Sequence, residues 1–102
     1  MIRVKYVGDK SSFKLLEVKG HANSTTVEGH DIVCAGVSAC VVGALNALEN
    51  PKQFNLLVED GHVIIENKDD IQLSSHNLVV LHTLIVQLQT IEETYKKFIK
   101  IN

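Results

Sequence analysis

The chain has 102 residues, 45% hydrophobic and 22% charged, with a formal net charge of −2. This is the length of one domain, residues 1–102, and the composition of a globular protein, which excludes a disordered chain. The lysines are dispersed without a dense basic block, which argues against direct nucleic-acid binding, and no apolar run reaches membrane-spanning length. The opening MIRVKYV alternates charged and apolar residues and has no continuous apolar core of the kind a signal peptide needs. The expected compartment is the cytoplasm, where the two cysteines would be free thiols.

Residues 2–7 alternate with a period of two and predict a strand with Ile2, Val4 and Tyr6 on one face. GDKSS at 8–12 is a turn, and FKLLEVKG predicts a second strand ending near Gly20, paired antiparallel with the first. A helix is expected from about Asp31 to Asn50, with the Asp31 carboxylate as its N-cap and Val33, Val37, Val41, Leu45 and Leu48 at helical spacing. Asn50-Pro51 should end it, because the residue before proline is pushed out of the helical region. FNLLVEDGHVIIEN is a hairpin around Asp60-Gly61, a residue pair that tolerates positive φ.

A second long helix is expected from Ser74 or Ser75, with Leu81, Leu84, Leu88, Ile91, Tyr95 and Phe98 along one stripe. The final KKFIKIN is compatible with a last turn or an extended tail. The order β-β-α-β-β-α predicts a two-layer α+β fold, an antiparallel sheet of about four strands packed with two helices. Both helices are apolar on more than one side, so a homodimer is expected to cover the excess.

Chemistry concentrates in GHANSTTVEGHDIVCAGVSAC, residues 20–40. Cys34 falls in the first turn of the predicted helix, where unpaired amides and the helix dipole favour a thiolate. His21 follows the second strand directly, so a rigid element holds it. If strand end and helix start meet, imidazole and thiol make a base and nucleophile. The alternative is a loop histidine and a core cysteine, since free cysteine is among the most buried residue types. Cys40 lies rotated and ~9 Å along the helix from Cys34 and is expected to be inert filling. Asp31 can cap the helix or orient His21. Ser38, one turn beyond Cys34, can bond a backbone carbonyl or polarise the site.

The polar loop 22–29 reads either as a solvated connector or as a lid with Ala22, Asn23, Ser24 and Glu28 in it and Gly29 as hinge. The amides at the helix start are expected to serve as oxyanion donors. A metal site on His21, His30 and Cys34 would need a fourth ligand that the sequence does not supply, so neither metal nor cofactor is expected. His30 is a rival base, closer in sequence to Cys34, while His62, His76 and His82 are expected to be surface or packing residues.

GHA, followed after a polar loop by GHDIVCAGVSA, closely resembles the ribosomal-processing cysteine proteases, the Prp family. The resemblance extends over nearly the whole chain, to the long final helix before Tyr95-x-x-Phe98-Ile99-x-Ile101. It implies a cytoplasmic homodimeric thiol endopeptidase that removes an N-terminal extension from ribosomal protein L27, cutting after a pair of aromatic residues. It also implies Cys34 as nucleophile and His21 as base, and favours the lid reading of the loop. His30 falls at a variable position of the motif and takes no catalytic role. A second possibility is a non-catalytic ribosome-assembly factor that binds the same ribosomal protein and is indifferent to substitution of Cys34.

Overall fold

The structure, a computed structural model, describes residues 1–23 and 31–102. Strands β1 (Ile2–Asp9) and β2 (Ser12–Lys19) form the first hairpin, and helix α1 spans Ile32–Ala47. Strands β3 (Phe54–Glu59) and β4 (His62–Asn67) form the second hairpin, and helix α2 spans Ser75–Thr94. A fifth strand, β5 (Ile99–Ile101), follows, and the sheet order is β3-β4-β2-β1-β5. The α+β layering agrees with the sequence pattern, but the sheet has five strands rather than four and is mixed, because β5 runs parallel to β1. Its registration comes from distant groups. The Ile2 amide donates to the Phe98 carbonyl, and the Asn102 side chain accepts from the Tyr6 amide.

The helices lie on one face of the sheet. Ile2, Val4, Leu16, Val18, Ile65 and Ile99 from the strands meet Val33, Val37, Val41, Leu81, Leu84 and Leu88 from the helices in one core. The helices run antiparallel, as Gly36 near the start of α1 approaches Ile91 near the end of α2. Asp31 and Ser74 cap α1 and α2, accepting from the Cys34 and Asn77 amides respectively. The predicted stripe on α2 holds to Ile91. Tyr95 instead takes the C-cap position, half exposed, and Phe98 lies beyond the helix, because the chain turns there into β5.

Helix α1 ends at Ala47, three residues before the predicted stop. His76 donates to the Ala47 carbonyl, and the fully buried Asn77 clamps the Glu49 backbone. Its Oδ1 accepts from the Glu49 amide at 2.9 Å and its Nδ2 donates to the Glu49 carbonyl at 2.9 Å. Removing a buried side chain with two such bonds leaves both backbone groups unpaired. Asn77→Ala is therefore expected to lower unfolding free energy by about 2–3 kcal/mol, measured by urea denaturation.

Candidate active site

The candidate residues meet where β2 ends, α1 begins and the β3–β4 turn folds back. The Gly20 amide donates to the Gly61 carbonyl at 2.8 Å, which clamps the end of β2 onto the Asp60-Gly61 turn. His21 follows at once and its ring lies over Gly61: a Cβ built on that glycine would sit 2.7 Å from Nε2. Gly61 has φ +72°, the left-handed conformation such a turn requires. Glycine at this position therefore serves two purposes, closing the turn and leaving room for the imidazole.

Cys34 stands in the first turn of α1, half-buried. Its sulfur accepts from the Ala22 amide at 3.2 Å, and its own amide donates to the Asp31 Oδ1 at 3.0 Å. His21, Cys34 and Ser38 line one cavity of about 220 Å³, whose apolar walls are Val37, Val41 and Val42 of α1 and Val58 and Val63 of the second hairpin. The strand end and helix start thus bring His21 and Cys34 to one pocket. Among the described residues the hydrogen-bond donor to the thiol is Ala22, not the imidazole.

The ionisation of Cys34 differs from the helix-start expectation. Burial pushes the thiol pKa above its ordinary value, the Ala22 amide pulls it down, and the Asp31 carboxylate pushes it up by hydrogen bonding and like charge. Burial and the Asp31 carboxylate both favour the thiol over the thiolate. The helix dipole acts on Cys34, but the cap that organises the helix start carries the opposing charge. Asp31→Asn keeps an oxygen for the cap and removes the charge. The pH profile for iodoacetamide alkylation of Cys34 is therefore expected to lie at higher pH than for a free thiol, and to move to lower pH in Asp31→Asn. An unchanged profile would show that Asp31 does not control the thiol.

The helix-start amides are also more occupied than expected of oxyanion donors: Asp31 accepts from the Cys34 amide with its side chain and from the Ala35 amide with its carbonyl, at 3.0 Å each. The amide that donates to the Cys34 sulfur belongs to Ala22, a donor that spacing alone did not reveal. Ala22 is itself a core residue, and Asn23 is exposed with φ +57°. The lid positions Ser24, Glu28 and hinge Gly29, with His30, lie outside the described residues. Cys40 is half-buried and faces a groove between α1 and α2, lined by Ala39, Gly43, Ala47 and Val79; both cysteines are free. His62 bonds Glu17 at 2.6 Å, and His82 is a half-buried residue of α2.

A half-buried thiol in a helix first turn, an imidazole just past a strand end lining the same cavity, and an amide aimed at the sulfur are the parts of a thiol hydrolase site. The sequence pattern of the family described as cysteine protease Prp matches residues 1–100. The chain is 38% identical over 105 residues to the ribosomal processing cysteine protease Prp of Staphylococcus aureus (strain Mu50 / ATCC 700699), covering 94% of this chain and 92% of that one. It is 33% identical over 91 residues to the protein of that name from Bacillus subtilis (strain 168), covering 83% and 80%. Among solved structures it resembles the essential ribosomal processing protease Prp from S. aureus with a covalently linked product peptide, at TM-score 0.83 and 36% identity over 100% of this chain and 98% of that chain. The same S. aureus protease with a substrate peptide gives TM-score 0.79 and 35% identity over the same shares. With the family pattern matched over residues 1–100, relatives 33–38% identical and the fold shared, this chain belongs to the Prp family of cysteine proteases.

Proposed function

We propose that this protein is a thiol endopeptidase that removes the N-terminal extension of ribosomal protein L27, with Cys34 as nucleophile and His21 as base. The observation that carries the chemistry is the shared pocket of these two residues, with the Ala22 amide on the sulfur. The relatives named as ribosomal processing proteases support the substrate class.

The reaction follows from the geometry. The resting thiol is neutral, so attack requires His21 to take the Sγ proton as sulfur adds to the scissile carbonyl. The Ala22 amide, directed at the sulfur at 3.2 Å, is the candidate donor to the oxyanion that develops two bonds from it. Collapse breaks the C–N bond, the amine leaves with the proton from His21, and a thioester remains on Cys34. Water, deprotonated by His21, then releases the acid and restores the thiol. Ser38 lines the same pocket and takes a polarising role, while burial and then the Asp31 carboxylate favour the protonated thiol.

The working form is a homodimer. Val79 is exposed on the helix layer and retains 65% of its accessible surface beside the α1–α2 groove. Apolar area of this kind is suited to burial against a second copy.

The experiment is incubation of the purified protein with a peptide spanning the L27 extension, read by mass spectrometry. Cleavage after the paired aromatic residues is the expected result. Binding without any cleavage, unaffected by substitution of Cys34, would support the assembly-factor reading instead.

A further inference from the structure

Strand β3 ends the sheet, and among the described residues it has β4 as its single strand neighbour. The two-residue turn makes Glu59 and His62 the hydrogen-bonded pair next to it. The antiparallel ladder then alternates, so Val58 opposite Val63 and Leu56 opposite Ile65 are non-hydrogen-bonded pairs. The backbone amides and carbonyls of Leu56 and Val58 therefore point away from β4, to the open edge. The same two side chains share the sheet face of Ile65, on which the helices pack, yet the helix layer stops short of them. Leu56 is 42% exposed and Val58 58% exposed.

Edge strands are ordinarily protected by charge, proline or a bulge, and here apolar residues stand at both outward-facing positions. The shelf also leads somewhere. Val58 forms a wall of the cavity that holds Cys34, facing Val41 and Val42 of α1 across it. Val58 thus links the outward backbone groups of β3 to the pocket that holds the thiol.

We infer that β3 is the docking strand for the substrate: an extended, apolar segment of the protein substrate adds to the sheet beside β3. It bonds the outward backbone groups of Leu56 and Val58 and lays alternate side chains, i and i+2, between the Leu56/Val58 shelf and the α1 flank. This rests on the endopeptidase reading and specifies how that pocket is reached. An added strand fits better than a lone side-chain pocket because both elements of strand addition, free ladder groups and a surface for alternate side chains, occur at the same residues. It also explains how a small cavity can select a sequence: the ladder aligns the peptide, and apolar residues spaced by two choose the register.

The test uses the L27-extension peptide. In a scan of singly N-methylated peptides, methylation of alternate amides is expected to raise KM about tenfold each, the loss of one hydrogen bond plus a steric clash, with kcat nearly unchanged; the intervening positions should be tolerated. Leu56→Ser and Val58→Ser, both at exposed positions, should raise KM severalfold with the thermal midpoint kept. A scan without a period of two, or variants that leave KM unmoved, would overturn the inference.

Binding is read separately from chemistry by adding the same peptide to isotope-labelled Cys34→Ala protein. Shifts should concentrate in the amides of residues 54–59, and shifts elsewhere, or none, reject the strand. If the unaltered protein fails to cut the peptide but the β3 amides shift, the endopeptidase reading falls and the docking strand stands. If those amides instead shift with protein concentration and peptide has no effect, the edge pairs two copies of this chain and the inference fails.

Discussion

Cys34→Ala is expected to reduce turnover of the L27-extension peptide by about 10⁴-fold or more, the scale seen when a covalent nucleophile is removed from a site whose members act as a unit. No other described side chain can take its place: Ser38 is a weaker nucleophile one turn further along α1, and Cys40 faces the α1–α2 groove. The substitution should be benign to folding, since alanine is the strongest helix former and Cys34 is only half-buried. Circular dichroism should be unchanged while mass spectrometry shows intact substrate. Cys40→Ala should keep nearly full turnover. Cleavage that persists in Cys34→Ala would remove the nucleophile assignment, and equal losses in both variants would indicate a packing effect.

Gly61→Ala is expected to have the second largest effect, and to act at a distance from any bond that is made or broken. A methyl group there would stand 2.7 Å from His21 Nε2 and 3.0 Å from Cε1, so the ring must move. The turn itself pays a smaller cost: alanine at φ +72° is disfavoured by roughly 1–2 kcal/mol. A base displaced by about 1 Å loses on the order of 10²-fold in rate. The expected signature is therefore a large fall in kcat, little change in KM and a drop of a few degrees in the thermal midpoint. If the midpoint falls and kcat does not, Gly61 serves only the turn and the imidazole has room to settle elsewhere.

Much of the fold is legible in the sequence. The two hairpins follow from period-two alternation and from Asp60-Gly61, and the starts of both helices follow from Asp31 and Ser74 as caps. β5 was not legible, because three residues are too few to show a period, and their partner strand begins at Ile2, at the opposite end of the chain. The stop of α1 departs from the local signal for a similar reason. Proline at 51 gave a local signal, whereas the helix ends earlier because Asn77, 28 residues on, holds the Glu49 backbone.

The candidate site divides in the same way. That Cys34 sits in a helix first turn and His21 at a strand end could be read from residues within a few positions of each. The state of the thiol could not: spacing suggested a thiolate, and burial together with the Asp31 charge reverses this. Nor could the Ala22 amide on the sulfur, the packing of His21 on Gly61, or the open edge of β3.

By itself, then, the sequence determined the two hairpins, the two helix starts with their caps, and the motif that holds His21 and Cys34. These depend on side-chain periodicity and on hydrogen bonds between near neighbours, which act over a turn or two of chain. Tertiary structure alone decided which groups surround the sulfur, whether it is charged and which strand edge stays uncovered. Desolvation, close packing and exposure are set by segments that are remote in the chain and adjacent in space.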